Sequence, residues 1–523
     1  MSSPVKPVRI NELTICDFRG FPGPAPFKLE LKGKNLLIYG ENGAGKSSIY
    51  HAFNEFFSLE DNTTAGKRDR LSDLKNRFSK EPFGNCFVEV KFDEGSEAKW
   101  TEVSHPAVSP NTQGDKQVVQ GALRKAMLDY RSLLDTNYKH GSGEVNLFDV
   151  FIETLLRDYP ATKAGSSTQT VHEIWQEIEA IMALDRISPG KGKERDSAID
   201  AINDAILSAI DELLPAPPST DVGPINQILQ DLGWKDVKVT LLAFSKFRFN
   251  GKNPKDLRGF IGNVITPSIE RFDEKFERPQ NYLNEARLSA LGLAIYLAAR
   301  KVNTRFMPAD APRLLVLDDV LIGLDQSNRL PVLELIFSKF SDWQVVLLTH
   351  DRVWYDMARA SIKEKEATKI LASNSWEFVE IRSPDDDPRA MPQSITHGDG
   401  AATLALAHSK AFLAQGHLSA AANYARTALE IALHYLCDKK SVKVRYKQDR
   451  RKQTSEELLS AAKEWAKNGG SNSKFFAALE NVEMFKSIVL NPNSHAGAPN
   501  ITKHEIAGAI AAVDAIVLAT KVT

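Results

Sequence analysis

Gly40-Glu41-Asn42-Gly43-Ala44-Gly45-Lys46-Ser47 restricts the folds open to this chain more than any other stretch. Its spacing, G-x-x-x-x-G-K-[ST], works only between a strand and a helix. Both flanks are present: the apolar run Asn35-Leu36-Leu37-Ile38-Tyr39 precedes it, and Ser48-Ile49-Tyr50-His51-Ala52-Phe53 follows with helical character. The glycines let backbone N–H groups turn inward around phosphate oxygens, and the helix N-terminus adds a favourable dipole. Asn42, Gly43, Ala44, Gly45, Lys46, Ser47 and Ser48 are therefore the candidate nucleotide-binding residues. Lys46 is placed to reach the β/γ-phosphates, and the Ser47 hydroxyl to ligate Mg²⁺, so ATP and Mg²⁺ are the expected cofactors.

A phosphate loop of this kind needs distant carboxylates, one for the metal and one to polarise the attacking water. Leu314-Leu315-Val316-Leu317-Asp318-Asp319 provides both, with Asp318 for the metal and Asp319 as the base. Arg313–Leu317 and Gln344–Leu348 are apolar throughout, which predicts strands buried on both faces of an α/β sheet. Strand alternation is also present at Val8–Ile15, Phe27–Leu31, Phe87–Phe92 and Val237–Leu242, and Asn281–Arg300 has the helical period. The polar stretch 61–80 is expected at the surface. Residues from about 120 to 235 are expected to form a mainly helical insertion, broken at Pro189-Gly190-Lys191-Gly192-Lys193.

With 523 residues there is material for two or three domains. A net charge of −1 excludes a global pull toward nucleic acid or membrane, so any basic site has to be local. Cys16, Cys86 and Cys437 match no metal or redox spacing and suit a reducing cytoplasm. The N-terminus lacks the apolar segment of a signal peptide, and no apolar run is long enough to span a bilayer, so a cytoplasmic protein without a membrane partner is expected.

Gly323-Leu324-Asp325 follows the carboxylates, and Leu347-Leu348-Thr349-His350-Asp351 comes one strand later. In this order the motifs resemble the ABC-type ATPases of the SMC-like and DNA-repair kind, over roughly residues 8–382. The resemblance implies that Asp325 belongs to the D-loop and that His350 contacts the γ-phosphate. Leu283-Asn284-Glu285-Ala286-Arg287 stands where the family has its signature helix, which caps the γ-phosphate of the opposite subunit. Asn284 replaces the usual serine and Arg287 the glutamine, although Asn284 retains hydrogen-bonding capacity at a helix start. Asp319 stands in place of the family's glutamate, and Gln117 and Gln120 are the only candidates for its Q-loop glutamine. The resemblance implies a head-to-head dimer, or a higher oligomer, closed over two ATP molecules. The long coiled-coil arms and Cys-x-x-Cys hook of chromosome-structuring relatives are missing.

Proline and aspartate cluster at Ser383–Pro388, and Gly398-Asp399-Gly400 follows, so 383–399 is expected to be a linker between an ATPase head at 1–382 and a small all-α domain at 400–523. The helix around Leu418–Cys437 carries Arg426 and Glu430 on one face, and a helix at Phe475–Val489 runs into Leu490-Asn491-Pro492-Asn493-Ser494-His495. An Arg-x-x-x-Glu helix with a later histidine resembles the HEPN-like ribonuclease domains that follow similar heads in anticodon nucleases. That likeness implies catalytic roles for Arg426, Glu430 and His495, although the family's Arg-x4–6-His spacing is not met. Metal-independent cleavage at a 2′-OH would use His495 as acid or base and Arg426 against phosphorane charge. The basic run Lys439–Lys452, with Tyr446 inside it, suits RNA phosphates and base stacking. Three functions stay open: an ATP-gated RNA-cleaving, possibly tRNA-cleaving, protein of anti-phage defence; an ATPase sensor whose C-terminal helices dock a separate nuclease effector or phage-derived trigger; and a DNA-repair ATPase.

Overall fold

The computed structural model describes residues 6–60, 62–130, 145–215, 221–252, 254–303, 306, 308–383, 389–396, 401–445, 454–468, 473–486 and 502–521. The chain divides into two compact units, Met1–Ser394 and Ile395–Thr523.

The first unit opens with β1 (Ile10–Cys16), β2 (Phe27–Glu30) and β3 (Asn35–Gly40). The phosphate loop leads into α1 (Lys46–Phe56), and α2 (Thr64–Leu74), β4 (Phe87–Phe92), β5 (Glu97–Trp100), α3 (Gln113–Arg124) and β6 (Ala126–Asp129) follow. Small hairpins β7–β8 (Pro160–Thr162, Thr168–Thr170) and β10–β11 (Arg248–Phe249, Phe260–Ile261) flank β9 (Val237–Phe244). After β12 (Ile265–Arg271) and β13 (Glu274–Phe276) come β14 (Leu314–Asp318), β15 (Gln344–Thr349), β16 (Trp376–Arg382) and β17 (Gln393–Thr396).

The central sheet has the order β17-β16-β3-β15-β14-β6, and the five strands from β16 to β6 run parallel. Side chains alternate across it with period two. Leu37, Leu315, Leu317, Val345 and Leu347 enter one core; Leu36, Ile38, Leu314, Val316, Val346 and Leu348 enter the other. Burial on both sides is why these strands are apolar without interruption. The core with Leu36 also packs α1, α2, α3 and the antiparallel sheet β2-β1-β4-β5, and the core with Leu37 packs the later helices of this unit and the β13-β12-β9 sheet. Parallel strands bring their carboxyl ends to one edge, where Gly40, Asp318, Thr349 and Asp129 finish their strands.

Several expectations need correction. The stretch 61–80 is not simply a surface segment: α2 buries Leu71 and Leu74, and the buried Lys67 ammonium donates to the Ser58 carbonyl at 2.8 Å. The region 120–235 contains helices Val171–Ala183, Pro189–Leu213 and Pro224–Asp231, but it also supplies β6 to the central sheet and the β7–β8 hairpin. Pro189–Lys193 begins a 25-residue helix rather than breaking one. Ser188 caps it through Lys191 N–H, and proline at the first position needs no hydrogen bond. The expected linker 383–399 contains β17, and its residues 384–388 and 397–399 lie outside the described set.

The second unit contains helices Ala401–Ala414, Leu418–Lys439, Ser455–Asn468, Ser473–Phe485 and Lys503–Lys521, and no strand of its own beyond the end of β17 among the described residues. Alanines at 421, 422, 425, 428 and 432 line the core face of the second helix, with Leu429, Leu433 and Leu436 filling the core between them. The expected helix Phe475–Val489 is described as far as Phe485, and His495 and the run from Tyr446 to Lys452 lie outside the described residues. Among the described residues no helix is long and apolar enough to cross a membrane.

Candidate functional site

Gly43 and Gly45 adopt φ angles of 87° and 102°, which a side chain would strain, and a Cβ on Gly45 would also meet Phe21 at 3.2 Å. Gly40 is held as tightly, since its Cβ would sit 3.0 Å from the Ile381 carbonyl oxygen. The Ser48 hydroxyl accepts from Gly20 N–H at 3.2 Å, tying the loop to the β1–β2 turn. Lys46 is buried, and its ammonium donates to the Gly40 and Glu41 carbonyls at 2.7 and 3.1 Å. Desolvation lowers its pKa, with Asp319 and Asp318 opposing the shift. Asn42 and Ser47 are exposed at the mouth of the loop, while Ala44 is buried beneath it.

Asp318 is the last residue of β14, and its register neighbours are Leu348 on β15 and Asp129 on β6. Burial, then the adjacent Asp319, push its carboxyl up to about 6; the Ser47 hydroxyl and Lys46 pull the other way. Its Oδ1 is buried without a hydrogen-bond partner. A buried carboxylate oxygen left unmet beside an exposed serine hydroxyl and open glycine suits a hydrated divalent cation carrying phosphate oxygens. Among the described residues no group of three or more His, Cys, Asp or Glu side chains could hold a metal alone. A Mg²⁺ here would take one hydroxyl and one carboxylate, with the remaining positions filled by nucleotide and water.

Asp319 sits at φ 55°, an uncommon conformation that turns its side chain toward the next strand. Its Oδ1 accepts from His350 N–H at 2.9 Å, and its Oδ2 lies 3.0 Å from His350 Nδ1. The two expected γ-phosphate residues are thus one hydrogen-bonded pair. Asp325 is exposed and begins the helix Gln326–Lys339 with its side chain uncommitted to capping.

Asn284 precedes the helix Glu285–Asn303, and its Oδ1 accepts from Arg287 N–H at 3.0 Å. The helix therefore starts at the signature segment, four residues later than the period suggested. Arg287 is engaged elsewhere: its guanidinium donates to Asp236 at 2.6 Å and lies 5.4 Å from the Trp234 ring. Gln117 and Gln120 stand on α3, where Gln117 donates to Glu94 at 3.1 Å. The place beside Asp318 belongs instead to Asp129. Sequence reasoning passed over Asp129 because only three apolar residues announce its strand.

In the second unit Arg426 Nε donates to Glu430 Oε1 at 3.1 Å, and both side chains are partly exposed. Lys486, missed in the sequence, is 3% exposed with its ammonium unbonded and Glu456 Oε1 at 3.5 Å. Desolvation lowers its pKa, and the charges of Arg426 and Glu430 also reach it. These three residues therefore share one electrostatic neighbourhood. Of the basic run, Lys439 through Arg445 are described, with the Lys439 ammonium 5.3 Å from the Tyr435 ring.

Residues 12–188 match the family described as an AAA domain. The matched span takes in the phosphate loop. No curated protein matches the sequence. Among solved structures, the chain is similar to the Smc head domain with an extended coiled coil bound to the C-terminal domain of ScpA from Pyrococcus furiosus. There the identity is 12%, 76% of this chain and 99% of that one are covered, and the TM-score is 0.38. The SMC head domain from Thermotoga maritima gives 13% identity, 75% and 99% coverage, and a TM-score of 0.30.

Proposed function

We propose that the chain is an ATP-hydrolysing switch whose first unit closes as a head-to-head dimer over two nucleotides and controls RNA cleavage by the second unit, in anti-phage defence. The observation that carries the nucleotide half is the gathering of Lys46, Ser47, Asp318, Asp319 and His350 at one edge of a parallel sheet. Lys46 would leave its two carbonyl acceptors for the β/γ-phosphates. Ser47 and Asp318 would hold Mg²⁺, which neutralises phosphate charge when bound. Asp319 would take a proton from water, and His350, held by it, would contact the terminal phosphate. Asn284 and Asp325, both exposed, would serve the partner protomer's site.

The nuclease half rests on the grouping of Arg426, Glu430 and Lys486 in the second unit. Arg426 would stabilise phosphorane charge, Glu430 would hold the guanidinium, and His495 would transfer the proton at the 2′-OH. The partly exposed Arg426–Glu430 ion pair also suits a second reading, in which this unit docks a separate effector.

Induction of the wild-type chain and of His495→Ala in cells challenged with phage, with total RNA resolved on a gel, tests the proposal. Discrete RNA fragments with wild type alone are expected. Intact RNA from both makes the second unit a docking module, and nucleotide-dependent binding to duplex DNA ends without RNA loss favours a repair ATPase.

A further inference from the structure

Beside α1 and β6 the first unit holds a cavity of about 220 Å³ that the nucleotide reading does not use. Leu147, Val150 and Ile295 give it an apolar wall, while Arg157 and Lys125 supply positive charge. Arg157 is 4% exposed, and its Nε has no hydrogen-bond partner. Its nearest carboxylate, Glu60 Oε1, is 3.7 Å from Nη2, too long for a hydrogen bond, and that side chain is 70% exposed. A buried guanidinium nitrogen left unmet costs the desolvation of that donor. Among the described residues Lys125 donates to Asn54, through its carbonyl and side-chain oxygens at 2.9 and 3.0 Å. Desolvation and the charge of Arg157 hold its ammonium down at about 7. Glu60 and Glu153 stand in the same wall, yet Arg157 Nε is left unmet, an arrangement that a planar carboxylate completes.

We propose that this cavity binds a small organic carboxylate, its head forked on Arg157 beside Lys125 and its apolar body against Leu147, Val150 and Ile295. A planar guanidinium matches carboxylate geometry with two parallel hydrogen bonds. The volume suits a ligand on the order of a dozen non-hydrogen atoms, smaller than a drug-sized molecule. Glu60 and Glu153 also line the cavity, and they disfavour a dianionic phosphate relative to a monoanion. The Glu60 side chain is the resident competitor that the ligand displaces from Arg157.

Benzoate is the probe, titrated into the full nucleotide-free chain by calorimetry, with neutral benzamide and phenyl phosphate alongside. Benzoate should bind at least about tenfold more tightly than benzamide, the charged hydrogen bonds accounting for the difference. Arg157→Gln should abolish the preference, and Glu60→Gln should tighten benzoate several-fold. Lys46→Ala should leave benzoate binding unchanged, which separates the cavity from the phosphate loop. Equal binding of benzoate and benzamide, failure of benzoate to bind, tighter binding of phenyl phosphate, or loss in Lys46→Ala would each overturn the assignment. Should Arg157→Gln not fold, Glu60→Gln decides: unchanged or weaker benzoate binding sinks the proposal.

Discussion

Lys46 and Asp319 separate binding from turnover at the residue scale. Lys46→Ala removes the only ammonium resting in the loop and should weaken ATP by roughly 100-fold or more, as loss of charged hydrogen bonds to phosphate dictates, measured with a fluorescent nucleotide. Asp319→Asn keeps a hydrogen-bonding partner for His350 but removes the base, so ATP affinity should persist while hydrolysis falls by about 10²-fold or more. Lys125 gives a pH signature. Its folded pKa of about 7 lies below the usual lysine value of 10.5, so the desolvation penalty is complete below about pH 7 and is relieved as pH rises toward 10.5. Stability should climb over that window, and Lys125→Met should flatten the climb in urea midpoints taken at pH 7 and pH 10.

Elements show why some of this was legible in the sequence and some was not. The phosphate loop and β14 declared themselves because their chemistry needs fixed spacing and burial on both faces, which leave unambiguous patterns. β6 did not, since Ala126-Met127-Leu128 is shorter than any periodicity can resolve, and its place depends on pairing with β14, about 190 residues later in the sequence. α2 was hidden for another reason: a polar helix that buries only Leu71, Leu74 and Lys67 has little amphipathic signal. The start of the helix Glu285–Asn303 was displaced because its capping residue, Asn284, was read as part of the helix. Asn284→Ala should cost about 1 kcal/mol of stability through the lost cap, seen in thermal unfolding, and should also lower ATPase activity.

For the whole molecule, the proposed dimer makes a prediction that no single chain can satisfy. Lys46→Ala and Asn284→Ala should each be nearly inactive alone, yet a mixture should regain ATPase activity, because a mixed dimer holds one intact composite site. Absence of recovery in a mixture shown to form mixed dimers would rule out action across protomers. The division at Ser394 explains the uneven legibility at this scale. The first unit is tied to its chemistry by strand ends, whereas the second is a packing of alanine-rich helices that many functions share.

The resting position of Lys46 carries one more consequence. With its ammonium seated on Gly40 and Glu41, the loop is a self-occupied lock rather than an open cradle. Any newcomer has to displace two good acceptors before it gains the lysine, so lone inorganic anions meet a threshold that a triphosphate, anchored at several phosphates at once, can cross. On the proposed function, the loop would thereby discriminate by the number of simultaneous attachments, admitting a triphosphate ahead of a lone phosphate.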